Sequence, residues 1–176
     1  MRIILITHAE TEKDPPRLLS DAGRAQAYDL IEGIKNIMGA DFRIKKAVSS
    51  PAVRCIETAL IVLGSLAADP LRRLDTDPRL MAAKEPMESD QLHRALIDYG
   101  CDGMLISQHA DLANALPKRD TVPHTADGWF QIRPVVCLLD WEPDRSFEGN
   151  RILRLLGPDG APLLPPESPP DTPLLG

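Results

Sequence analysis

Two histidines and one arginine, remote from one another in the chain, occur in the same local setting, a polar turn that follows a short apolar run. His8 lies in Thr7-His8-Ala9-Glu10-Thr11, Arg54 in Ser49-Ser50-Pro51-Ala52-Val53-Arg54, and His109 in Ser107-Gln108-His109-Ala110-Asp111. A neutral imidazole, with an ordinary pKa of about 6.5, keeps a nucleophilic ring nitrogen at neutral pH and can accept a phosphoryl group. His8 is the candidate acceptor. A planar guanidinium near a helix start offers paired charge-assisted bonds to phosphate oxygens, which is the chemistry of Arg54, and a protonated His109 adds a second cation. The N–H groups after Ser50 also face an anion, although Pro51 supplies none. These residues make a phosphate cradle without a metal or a cofactor.

The surrounding pattern says what must hold them. The run at residues 3–6 is continuous Ile-Ile-Leu-Ile, as in a strand buried on both faces of a parallel sheet. Ser20 reads as the N-cap of a helix whose apolar face is Ala27, Leu30, Ile31, Ile34, Ile37 and Met38. A second strand is expected at 44–48, then a helix opened by Ser49-Ser50 with Pro51 at its first position and a stripe of Val53, Ile56, Leu60, Leu63 and Ala67. Further elements are a helix at 90–99, a strand at 104–107, a helix through Leu112, Ala113 and Leu116, a strand at 134–141, and a hairpin over 151–164 turning at Gly157-Pro158-Asp159-Gly160. This order predicts an α/β fold, a mainly parallel sheet flanked by helices on both faces, because parallel neighbours need crossovers that cover the sheet. Ligands then bind beyond the carboxyl ends of the strands, where all three polar turns would meet.

Bulk properties narrow the partners. With 176 residues, one domain is expected over 1–162, followed by a proline-rich extended tail at 163–176. The net charge of -6 and the lack of a lysine or arginine run argue against nucleic acid. No apolar stretch approaches the roughly 18 residues of a membrane span, and the opening apolar run is too short for a signal-peptide core. Cys55, Cys101 and Cys137 are odd in number and lack CxxC spacing, which speaks against a disulfide framework or a structural zinc site and for a reducing cytoplasm.

Three motifs together resemble the histidine phosphatase, or phosphoglycerate-mutase-like, superfamily. "RIILITHAET" is similar to the family's first strand and nucleophile turn, with "LSDAGRAQA" similar to the helix that follows; "SSPAVRCIETA" is similar to its second motif and "LISQHADLANAL" to its third. They span roughly residues 2–117 in the family's order, and the short spacing between Arg54 and His109 most resembles the phosphohistidine-phosphatase branch. The resemblance implies a three-layer sandwich in which His8 is the phosphorylated nucleophile, Arg54 a phosphate clamp and His109 the second catalytic histidine. It implies as substrate a phosphorylated small molecule or phosphoprotein, either a phosphate monoester or a protein phosphohistidine. A mutase is disfavoured, because no insertion offers the contacts needed to retain a sugar phosphate.

The chain departs from the family at two places: Thr7 stands where the family has arginine before its nucleophile, and Ala9 where it has glycine. A threonine hydroxyl makes one neutral bond to phosphate, and loss of a preorganised charged donor removes about 3 kcal/mol, or roughly a hundredfold in rate. Thr7 therefore sustains an alternative, a weakened or inactive relative that binds a phosphorylated ligand or partner protein and offers its proline-rich tail for association. The proton donor is expected among Glu85 and Glu88, with Asp90 and Asp111 as further carboxylates; a phosphohistidine substrate, whose imidazole leaves readily, needs less acid help. The plainer readings set an Arg54–Glu57 surface pair, a solvated Glu10, Thr11 as a turn or cap residue, His93 as a surface residue, His124 as a structural one in a loop that could approach the pocket, Cys55 as a buried helix-face thiol, and Trp129, Phe130 and Trp141 as packing.

Overall fold

The structure is a computed structural model that describes residues 1–69, 73–81, 89–108, 136–144 and 151–162, with backbone alone at 89–93 and 151–155. Among the described residues six strands form one sheet: β1 (Arg2–Thr7), β2 (Lys46–Ser49), β3 (Leu74–Thr76), β4 (Met104–Gln108), β5 (Val136–Asp140) and β6 (Arg151–Leu156). Their spatial order is β3-β2-β4-β1-β5-β6. The first four are parallel, whereas β5 runs antiparallel to β1 and β6 antiparallel to β5. The expected mainly parallel α/β sheet is thus present, with an antiparallel pair at one edge.

Why β1 and β4 read as unbroken apolar runs follows from the two cores. Ile3, Leu5, Met104 and Ile106 pack with Ala95 and Leu96 of α3 (Ser89–Tyr99) on one face. Ile4, Ile6 and Leu105 pack on the other against Leu30, Ile31 and Ile34 of α1 (Asp21–Met38) and Ala59, Val62 and Leu66 of α2 (Val53–Leu66). Both faces are covered, so neither alternates with polar residues. Among the described residues no helix is long and apolar enough to cross a membrane.

Helix α1 starts where its sequence predicts: the Ser20 hydroxyl accepts the Gly23 N–H at 3.0 Å. Helix α2 does not. Its N-cap is Ala52 and it begins at Val53, because the Ser50 hydroxyl accepts the Ala52 N–H at 3.3 Å and holds Pro51 and Ala52 in a turn ahead of the helix. Its buried stripe is Cys55, Thr58, Ala59, Val62, Leu63 and Leu66, while Val53 and Leu60 of the expected stripe are 41% and 52% exposed. The helix is apolar around most of its girth, so periodicity alone did not fix which side meets the sheet. Strand β3 and the 3-10 turn at Pro78–Leu80 went unread, being three residues each and partly charged. The expected 157–160 turn is present, with Gly157 N–H bonded to Ala161 O at 2.9 Å, but β6 pairs with β5, and among the described residues the returning arm is a single Leu156–Pro162 bridge. The expected helix through Leu112 to Leu116 and the tail at 163–176 lie outside the described residues.

Candidate active site

Buried polar side chains gather at one end of this sheet. Among the described residues they are Thr7, His8, Ser49, Ser50, Thr58, Asp77, Ser107 and Gln108. Seven lie at or just beyond the carboxyl ends of β1 to β4, and Thr58 lies on α2 directly behind them. Buried polar groups need partners, and a cluster of them at the edge where parallel strands hand over to helices marks a built site.

The strand order does the assembling. Because β4 lies between β1 and β2, the His8 N–H donates to the Gln108 carbonyl at 3.0 Å and the Ser50 N–H to the Ser107 carbonyl at 2.8 Å. The carboxyl ends of β1, β2 and β4, at Thr7, Ser49 and Gln108, therefore share one edge. His109 itself lies outside the described residues, as do Glu85, Glu88, Asp111 and His124; the side chains of Asp90 and His93 do as well.

His8 is 7% exposed, and its Nδ1 lies 2.8 Å from the Ala9 carbonyl. A carbonyl only accepts, so Nδ1 carries a proton, and in the neutral ring the lone pair then resides on Nε2. The tautomer that leaves a nucleophile is thereby set by the backbone of the next residue. That backbone is fixed in turn: the Ala9 N–H donates to Thr58 Oγ1 at 3.1 Å, and Thr58 Oγ1 donates to the Arg54 carbonyl at 2.8 Å. Two hydrogen bonds through one hydroxyl connect the His8 turn to the first turn of α2.

Helix α2 enters this edge without a side-chain cap and with no acidic residue in its first turn. Its positive dipole end is uncompensated by its own sequence, and half-buried Arg54 lies in that first turn. The surface pair between Arg54 and Glu57 gives way to another arrangement: Glu57 accepts the Leu19 N–H at 2.7 Å and lies 3.6 Å from Arg24, which also donates to the Leu19 carbonyl.

The "LSDAGRAQA" segment secures the same loop from the other side. Gln26 accepts the Glu10 N–H at 3.0 Å, the Ser20 hydroxyl donates to the Glu10 carboxylate at 3.0 Å, and Thr11 bridges Leu19. Gly23 is required there, since a Cβ would collide with the Glu10 carbonyl. Glu10 and Thr11 thus help to shape the turn.

Thr7 is 2% exposed and pairs in register with Gln108. Both side chains project to the α3 face, opposite that of Ile6 and Leu105, which face α1 and α2. Cys55 adjoins Arg54, but burial pushes its thiol up to about 12 against the smaller opposing effects of Arg54 and Ser50, so it is no nucleophile at neutral pH. Asp77 is a carboxylate at this edge that sequence reading missed. Burial pushes it up, yet bonds from the Arg79 side chain and backbone outweigh that and hold it below the usual carboxylate range, which suits a structural anion and not a proton donor. Thr58 and Glu57 were also missed as positioning residues, although their adjacent placement in "SSPAVRCIETA" was the available signal. No group of three or more candidate metal ligands occurs among the described residues.

Residues 3–83 match the histidine phosphatase superfamily (branch 1). No curated protein matches the chain. Among solved structures, the fold is similar to that of the protein histidine phosphatase SixA complexed with tungstate, at 15% identity, covering 90% of this chain and 97% of that one with a TM-score of 0.64. It is also similar to the ecdysone phosphate phosphatase from Bombix mori in complex with tungstate (18% identity, 96% of each chain, TM-score 0.58) and to phosphoglycerate mutase from Plasmodium falciparum (18% identity, 96% of each chain, TM-score 0.55). At these identities the shared property is the fold, and it is the three-layer fold that the motifs implied.

Proposed function

We propose, from the match of residues 3–83 to the histidine phosphatase superfamily and from a fold similar to that of a protein histidine phosphatase, that this chain is a phosphatase working through a phosphohistidine at His8. The observation that carries this reading is the Nδ1–carbonyl bond of His8, which leaves Nε2 as the nucleophile at a polar sheet edge. Two of the fold relatives were captured with tungstate, a tetrahedral oxyanion, which supports the same kind of ligand here.

In the first step Nε2 attacks phosphorus, a P–N bond forms, and the bond from phosphorus to the leaving group breaks. The ring then becomes cationic, and the Ala9 carbonyl that accepts from Nδ1–H stabilises that charge. Arg54 and the N-terminus of α2 bear on the equatorial oxygens, Thr7 contributes a neutral hydroxyl, and His109 acts as the second histidine. In the second step water attacks phosphorus, the P–N bond breaks, inorganic phosphate leaves and His8 is restored. No step needs a metal. The proton for an alkoxide leaving group comes from Glu88 or Glu85; a phosphohistidine substrate, whose imidazole is the better leaving group, relies less on it. A cytoplasmic phosphorylated small molecule or phosphoprotein is the substrate class.

The buried neutral Thr7 supports a second reading, a weakened relative that binds a phosphorylated ligand or partner. One set of assays separates the two: turnover of p-nitrophenyl phosphate and of a phosphohistidine substrate by the native chain, His8→Ala and Thr7→Arg. An enzyme shows turnover and an acid-labile phosphoprotein, both lost in His8→Ala. A native chain without turnover, with activity gained in Thr7→Arg, establishes the binding reading. Turnover unchanged in His8→Ala refutes the proposed mechanism.

A further inference from the structure

Gln108 is 0% exposed, and among the described residues neither Nε2 nor Oε1 of its amide has a hydrogen-bond partner. This is an unusual state. A buried amide that gives up water without replacement incurs its full desolvation penalty, and such groups in folded proteins mark a strained or functional position or a missing ligand. The position supports the last. Gln108 ends β4 at the carboxyl edge, its carbonyl receives the His8 N–H, and its Cα is the register partner of Thr7.

The neighbouring positions show that the sequence could have done without the amide. Met104 and Ile106, which precede it on the same face of β4, are both apolar members of the core. A leucine or methionine at 108 would continue that face at no polar cost. The other buried polar side chains at this end have internal uses: Ser107 donates to the Cys55 carbonyl at 2.8 Å, Ser49 to the Ser50 carbonyl at 2.8 Å, and Asp77 binds Arg79. Among the described residues, only Gln108 combines complete burial with an unused donor and acceptor next to the nucleophile's backbone.

We propose that the Gln108 amide is a specificity-determining oxyanion donor, its Nε2–H bonding an oxygen of the phosphoryl group held at His8. This rests on the phosphatase reading above. Beside Thr7 it gives that side of the cradle two neutral donors, complementing the charged Arg54. The bond adds no formal charge and selects for an oxygen acceptor at a fixed place, which is what a tetrahedral oxyanion offers.

The test is calorimetric titration of the full chain with vanadate, for the native protein, His8→Ala, Gln108→Leu and Gln108→Met, with thermal melting of each. Expected is His8-dependent vanadate binding that weakens about tenfold in both Gln108 variants, while their melting temperatures equal or exceed the native value because an unpaired buried amide has been replaced by a well-packed apolar group. Native-like affinity in a folded Gln108→Leu or Gln108→Met overturns the assignment and leaves the phosphatase reading intact. Failure of both variants to fold, or a lowered melting temperature in both, also overturns it, by showing that the amide serves the fold. Absence of His8-dependent binding in the native chain overturns the phosphatase reading and this assignment with it.

Discussion

Replacing Thr58 with valine removes one oxygen from the protein while keeping its shape. That oxygen accepts the Ala9 N–H at 3.1 Å and donates to the Arg54 carbonyl at 2.8 Å, and both Thr58 and Ala9 are fully buried. Valine and threonine have similar helix propensity, so helix stability does not confound the comparison. The loss falls mainly on the Ala9 N–H, which no water can reach, and an orphaned buried donor costs about 1–3 kcal/mol. For a domain of this size each kcal/mol shifts the melting temperature by about 2–4 °C, so a mid-range loss of about 2 kcal/mol lowers it by about 4–8 °C. The same change frees the residue whose carbonyl sets the His8 tautomer, and misplacement on the scale of 1 Å costs about a hundredfold in rate. Thermal melting and the rate of phosphoenzyme formation measure the two effects. Thr58→Ser, which keeps the hydroxyl, recovers most of both. A Thr58→Val protein that melts and reacts like the native one, or a serine variant as impaired as the valine, refutes the reasoning.

Gly23→Ala sets two effects against each other: alanine gains about 1 kcal/mol of helix propensity, but its Cβ meets the Glu10 carbonyl, and overpacking against backbone costs about 1–3 kcal/mol. The clash prevails, so the urea midpoint falls; a rise contradicts the close approach. Arg54→Ala lowers kcat/KM about a hundredfold, with Arg54→Lys between it and the native protein, because the charge survives but the fork is lost. No Arg54–Glu57 pair is lost in either variant, because the Glu57 carboxylate is bonded to Leu19 and placed beside Arg24. Burial holds the Cys55 and Cys137 thiols up at about 12, so at pH 8 only about one in ten thousand is ionised and iodoacetamide modifies partly exposed Cys101 first; rapid labelling of Cys55 contradicts it. The stability linked to these two thiols is present below about pH 9, where the unfolded chain begins to ionise them, and is lost as pH rises through the folded value of about 12. Urea midpoints measured from pH 8 to 11 fall accordingly.

Much of this was legible without coordinates where one interaction dominates locally. The unbroken apolar runs of β1 and β4 announce strands covered on both sides, and Ser20 caps α1 as its hydroxyl and the following Gly23 imply. The phase of α2 was not legible, because Val53, Ile56 and Leu60 form as good an apolar stripe as Cys55, Ala59 and Val62. Packing against β4 and α1 chose between them, through Cys55, Ala59 and Val62 on the sheet side.

The sequence by itself determined that His8 and Arg54 each lie just past a strand, and that the chain must bury a parallel sheet from both faces. What only tertiary structure decided is which strands are neighbours, and with it the Gln108 carbonyl beneath His8, the Thr58 hydroxyl between Ala9 and Arg54, and the orphan amide of Gln108 beside Thr7. The reason is physical: strands apolar on both faces carry no alternation that records their partner or register. Those are settled when the helices close over both faces at once, and the site at the sheet's edge is settled with them.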